Sequence, residues 1–143
     1  MPLTPELYQE ILLDHSKHPR GQGLLAAPAY RAEAENPEAG DKVRLTLETG
    51  ADGTITAVGW EAAGSAVLRA SCSLMGERIR GLTVPEAQAL AERFRSFLTG
   101  AEPDEAETDY WEDVAALGGI RHLPPRVKCA MLPWRALLAV EGE

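Results

Sequence analysis

"VRLTLETGADGTITAVGWEA", residues 43–62, is the stretch whose reading decides the fold. Val43, Leu45 and Leu47 alternate with Arg44, Thr46 and Glu48, the period of two that sets one face of a strand against a core and the other against water. Residues 50–53, Gly-Ala-Asp-Gly, turn the chain, and 54–62 read as the returning strand. Tyr30 and its neighbours supply a third strand, so the expectation is a small antiparallel sheet.

On the C-terminal side of that hairpin, Gly64 and Ser65 open a helix in which Val67, Leu68, Cys72 (or Ser71), Met75 and Ile79 recur at helical spacing. Thr83 and Glu86 make a capping box around Pro85, and the helix that follows carries Leu90, Phe94, Phe97 and Leu98 up to Gly100. Residues 101–109, acidic and turn-rich, read as a solvated loop, and "WEDVAALGGI" as a short helix ending at its glycine pair. The apolar segment after Pro124 and Pro125 reads as a terminal helix. Within it Pro133 lacks the amide that would bond the Cys129 carbonyl, which predicts a kink or a helix start near that cysteine. On the N-terminal side, Thr4 and Pro5 start a helix whose apolar stripe is Leu7, Tyr8, Ile11 and Leu12, ending about His15 before "KHPRGQG". Helix, strands, then several helices is an α+β order: a small antiparallel β-sheet packed against several α-helices.

A chain of 143 residues is one domain's worth, and the expectation is a single domain over 1–143. The formal net charge is −8, with no basic stripe, so the phosphate attraction that drives nucleic-acid binding is missing. No apolar run approaches a membrane span, and the first residues lack the pattern of a secretory signal, which makes the cytoplasm the default location. In a reducing cytosol Cys72 and Cys129 are expected to be free thiols.

Few residues offer chemistry. Cys129 has Lys128 beside it and Arg126 nearby; cations and a helix N-terminus favour the thiolate, so Cys129 is either a nucleophile and metal ligand or a buried structural cysteine. Cys72 lies in an apolar stripe and reads as core. His15, His18 and His122 read as surface residues, the first two at a helix end where a cation suits the dipole. GxGxxG, Walker A and HExxH patterns are absent, and "GWEAAGS" fails GxSxG, so no enzyme is expected. The stretch "AENPEAGDKV", residues 34–43, has the makings of a tight site loop, yet Ala39 at its tip carries no reactive group.

Four stretches, "LYQEILLDHSKHPRGQG", "NPEAGD", "AAGSAVLRASCSLM" and "PPRVKCAMLPW", resemble in order and spacing the iron–sulfur cluster scaffold family of SufU, IscU and the NifU N-terminal domain. The long insertion with the capped helix and acidic loop looks like the SufU branch. The resemblance implies a site for an iron–sulfur cluster or a zinc ion made of three thiolates and an aspartate. Carried over, the thiolate positions are Ala39, Ser65 and Cys129, and the aspartate is Asp41, so two of three cysteines are replaced. Four ligands normally close a tetrahedral site, and cluster iron is held chiefly by thiolates. With Asp41 and Cys129 alone, no cofactor is expected to bind one chain tightly. Cys72 lies about two helical turns, roughly 10 Å, from Ser65 and does not replace the missing thiolates unless it swings in. The resemblance thus implies a protein of iron–sulfur cluster assembly with a depleted ligand site, partnered by a cysteine desulfurase and other assembly proteins. It would accept sulfur on Cys129 or modulate the desulfurase. The alternatives are a scaffold that shares ligands between subunits and a binding module that keeps only the fold.

Overall fold

The protein is described by a computed structural model over residues 4–140. The expected hairpin is β2 (Asp41–Thr49) and β3 (Ile55–Ala63), paired antiparallel with Leu45 opposite Trp60 and Leu47 opposite Val58. Its turn is set by Asp52, whose carboxylate accepts the Thr54 amide at 3.1 Å and the Thr54 hydroxyl at 2.7 Å, a side-chain mimic of a backbone turn. β1 (Tyr30–Asn36) pairs antiparallel with the other edge of β2, giving the order β1-β2-β3. Val43, Leu45 and Leu47 are buried, as the alternation required.

The opposite face of the sheet is partly covered by the chain between the first helix and β1. Gly23 donates to the Trp60 carbonyl at 2.7 Å, and the Leu25 amide donates to the Thr46 hydroxyl at 3.1 Å. That crossing needs Gly59: a β-carbon there would sit 2.4 Å from the Gly23 oxygen.

Among the described residues there are five α-helices, of which α2 and α5 pack against the sheet and the others pack around them. α1 (Pro5–Lys17) is capped by Thr4 and runs two residues past His15, until Pro19 stops it. α2 (Ala66–Ile79) follows β3 directly. α3 (Val84–Thr99) shows the full capping box, Thr83 and Glu86 exchanging bonds of 2.9 and 3.3 Å. α5 (Pro124–Leu138) lies against β1, β2, α2 and α3. No helix among the described residues is long and apolar enough to cross a membrane.

Several expectations are corrected. Within the acidic stretch 101–109, only the first part is loop: α4 (Glu105–Trp111) begins at Asp104, which caps it by accepting the Glu107 amide at 2.8 Å. The acidic first turn suits the helix dipole, and Trp111 anchors the far end in the core, so charge density here marks a helix start. A 3-10 segment, Glu112–Ile120, carries on through the glycine pair instead of stopping at it. α5 starts at Pro124 and passes Pro133 without interruption, so no helix begins near Cys129. The loss at Pro133, of order 3 kcal/mol, is outweighed by tertiary burial of Leu132, Trp134, Ala136 and Leu137, all with no exposed surface. His15 is not a surface residue: it is 3% exposed, and its Nδ1 lies 2.7 Å from the Ser73 hydroxyl, tying α1 to α2. Burial, then the Arg20 guanidinium, push its pKa below the ordinary histidine value.

The core joins α3, α4 and α5 through aromatic rings. Phe94 stacks on Trp134 at 4.2 Å and meets Trp111 edge-on at 5.5 Å, geometries that add about 0.5–1.5 kcal/mol per pair beyond burial. The Trp134 indole N–H donates to the Ser71 hydroxyl at 3.1 Å, and Ser71 donates onward to the Ala130 carbonyl at 2.6 Å. This chain of bonds fixes α5 against α2 one residue from Cys129.

Candidate functional site

Three elements meet at one end of the sheet. The first is the β1–β2 hairpin, whose last pair is Asn36 opposite Asp41. Its turn is closed by the Ala39 amide on the Asn36 carbonyl (3.2 Å) and the Gly40 amide on the Pro37 carbonyl (3.3 Å). Gly40 has φ +74°, the left-handed region a β-carbon disfavours. This geometry leaves Ala39 exposed at the tip and turns Asp41 inward, where it is 3% exposed.

The second element is the start of α2. Gly64 has φ +147°, and a β-carbon on it would lie 2.1 Å from Asp41 Oδ1, so only glycine lets the carboxylate come this close. Ser65 caps the helix by accepting the Leu68 amide at 3.2 Å. Arg69 reaches back to the Gly64 carbonyl at 3.0 Å and fastens the same turn.

The third element is α5, which brings Cys129 to the hairpin. Its thiol donates to Asp41 Oδ2 at 2.8 Å, across 88 residues of sequence. Cys129 is the sixth residue of α5, beyond the helix N-terminus, and Lys128 turns away to pair with Glu38 at 3.5 Å. The cationic surroundings expected from the sequence are therefore corrected. Burial, and next the Asp41 carboxylate, push the Cys129 thiol above its ordinary pKa, while the Ser65 hydroxyl beside it pulls the other way. Burial and the carboxylate both favour the protonated thiol, which is hydrogen-bonded to Asp41.

The structure thus brings together Asp41, Ser65 and Cys129 and leaves Ala39 at the hairpin tip. Cys72 is fully buried in the core with its thiol pKa pushed far up, and it takes no part in the site. Both cysteines are free. Sequence reasoning missed the contribution of Arg69 and of the Ser71–Trp134 pair. The latter has no local signal, because its partners are 63 residues apart.

The pattern of the NifU-like N-terminal domain family matches residues 7–137. The chain belongs to this family. A relative named the zinc-dependent sulfurtransferase SufU of Bacillus subtilis (strain 168) is 33% identical over 131 residues, covering 92% of this chain and 86% of the relative. The iron–sulfur cluster assembly scaffold protein IscU of Thermotoga maritima is 32% identical over 131 residues, covering 92% and 89%. The crystal structure of the N-terminal part of a nitrogen-fixing NifU-like protein from Brucella abortus superposes with a TM-score of 0.79 over 92% of this chain and 90% of that one; at 23% identity it shows the shared fold.

Set against the zinc and cluster chemistry that the family implies, the donor set of this NifU-like chain is short. Asp41 offers carboxylate oxygen and Cys129 one sulfur; the Ser65 oxygen is a neutral hydroxyl already accepting the Leu68 amide, and Ala39 has no donor. Among the described residues no three His, Cys, Asp or Glu side chains gather as a metal site. A closed zinc site takes four such ligands and cluster iron takes thiolates, so these residues do not fit either group held tightly by one chain.

Proposed function

We propose that this NifU-like protein acts in iron–sulfur cluster assembly as a partner of a cysteine desulfurase and takes one sulfur atom on Cys129, without building a cluster on its own ligands. The observation that carries the reading is the pairing of a single thiol with a single carboxylate, Cys129 on Asp41, in a frame whose other two thiolate positions are Ala39 and Ser65. One sulfur is enough to receive one sulfur.

In the reaction, the Cys129 sulfur attacks the outer sulfur of a persulfide on the desulfurase. A sulfur–sulfur bond forms at Cys129, the bond within the donor persulfide breaks, and the donor cysteine leaves as a thiolate that takes up the proton Cys129 gives. Reactants and products each hold one thiol and one persulfide, so no outside oxidant is needed. Asp41 serves by orienting the thiol and by holding its proton as it departs.

Mass spectrometry of the intact protein after incubation with a cysteine desulfurase and cysteine tests this. The expected result is a reducible gain of one sulfur that is lost in Cys129→Ser and retained in Cys72→Ser. A protein that stays at its starting mass yet alters desulfurase turnover is a modulator, and the transfer reading is then wrong. A protein that does neither is outside the pathway.

A further inference from the structure

β3 is an edge strand, and most of its free edge is covered by the protein itself. Near its start, the Ile55 amide donates to the Leu82 carbonyl at 2.7 Å and its carbonyl accepts from Gly81 at 2.9 Å. Further along, the Trp60 amide donates to the Gly21 carbonyl at 3.1 Å and its carbonyl accepts from Gly23 at 2.7 Å, residues 21–23 running parallel to β3. At Gly23, with φ +110°, the chain leaves the edge and crosses onto the sheet face over Gly59.

The edge is left open two residues later. Strand groups alternate in direction, so if Trp60 turns its N–H and C=O outward, Ala62 does the same. Val43 lies opposite Ala62 in the register, yet neither backbone group of Ala62 has a partner among the described residues. Beside them is a groove of about 460 Å³ lined by Gln22, Gly23, Lys42, Arg44, Glu61 and the small residues Ala62 and Ala63. An unpaired donor and acceptor on an open strand edge fit one class of occupant, an extended polypeptide added as a further strand.

The charges say which kind. Across the sheet one row reads Glu33, Arg44, Glu61, and the next reads Glu35, Lys42, Ala63. Arg44 pairs with Glu33 at 3.6 Å and Lys42 with Glu35 at 3.3 Å, while exposed Glu61 has no ion-pair partner among the described residues. A fourth strand continuing the alternation places a cation beside Glu61, and the chain's net charge of −8 steers a basic segment toward it.

We infer that the β3 edge at 61–63 is a docking site for an extended basic segment of a partner protein, which pairs its backbone with Ala62 and sets a lysine or arginine beside Glu61. The inference stands independently of sulfur transfer. Its position matters all the same: Ala62 lies three residues before Ser65, so a segment laid along this edge ends beside the Asp41–Cys129 pair.

The probe is a synthetic seven-residue peptide alternating lysine and valine, titrated into the full-length ¹⁵N-labelled protein. The expected result is a shift and slowed hydrogen exchange of the Ala62 amide, with smaller effects at Gln22 and Gly23. Binding should be lost when alternate peptide amides are N-methylated. Glu61→Lys should weaken the lysine peptide and favour its glutamate counterpart, each by up to about fivefold, the span of one opposite-charge cross-strand pair. An Ala62 amide unmoved at millimolar peptide, or one moved equally by both peptides in both proteins, overturns the proposal. A protein that is dimeric with Ala62 already protected overturns it in favour of a second copy.

Discussion

Gly64 and Asp41 are in such close contact that a β-carbon on the glycine would fall 2.1 Å from the carboxylate oxygen. The residue before the helix therefore sets the position of the residue that holds the thiol.

Gly64→Ala is expected to displace Asp41 from Cys129 and to strain the backbone, since φ +147° is a region that residues with a β-carbon rarely adopt. The cost should be about 1–3 kcal/mol in urea denaturation. Adding Asp41→Ala should recover the part due to the collision and leave the part due to backbone strain, and the double-mutant cycle separates the two.

Restoring the two absent thiolates tests the ligand account. Ala39→Cys with Ser65→Cys is expected to bind about one zinc per chain, with Asp41 and Cys129 completing four ligands, while the parent binds none through dialysis. Elemental analysis reads both. Before metal is added, the variant should be less stable by about 1 kcal/mol, because the serine that caps α2 is gone. A variant that stays metal-free shows that the frame itself no longer fits a tetrahedral ion.

His15 gives the fold a pH dependence with a definite sign. Its folded pKa lies below the unfolded value of about 6.5, so the unfolded chain takes up the proton more readily. Stability from this residue is complete above about pH 6.5 and is lost as the pH falls through the folded pKa. Glu77, Asp14 and Asp113 face the ring and moderate the effect without reversing it. Urea midpoints measured from about pH 7 to about pH 5 should fall more steeply for the wild type than for His15→Asn. Equal slopes would show that the ring is not held neutral.

Ser71→Ala removes the hydroxyl between the Trp134 indole and the Ala130 carbonyl, leaving a buried N–H without a partner. A loss of about 1–3 kcal/mol is expected. Because Ala130 follows Cys129, thiol alkylation of the folded variant, in a Cys72→Ser background, should also be faster than in its parent.

Much of this architecture was legible in the sequence because its signals are local. The alternation at 43–47, the box at Thr83 and Glu86, and the Gly64-Ser65 helix start each lie within a few residues and appear as read, except that Thr46, read on the water side, is buried beneath the segment that carries Leu25. Cys129 and the loop at 34–43 could be singled out from their own residues, but that they belong to one site was legible only through resemblance, since Asp41 and Cys129 are 88 residues apart and neither announces the other. The errors have a common cause. Lys128 and Arg126 suggested a thiolate from their closeness in sequence, but the fold pairs Lys128 with the distant Glu38, and burial governs the sulfur. His15 looked solvated at its helix end until Ser73, 58 residues away, closed over it. At Pro133 a kink or a helix start was expected, and the start is absent because the packing that carries α5 through the proline comes from other elements.

The three tryptophans, Trp60, Trp111 and Trp134, are all sealed from solvent, one in the sheet and two among the helices. None touches the Asp41–Cys129 pair through a hydrogen bond: their indole N–H groups go to Arg20, Glu107 and Ser71. The molecule thus carries built-in optical probes of its folding, none of them hydrogen-bonded to the sulfur. Intrinsic emission should register loss of the core and remain nearly unchanged when Cys129 is modified, allowing damage and chemistry to be followed separately in one sample.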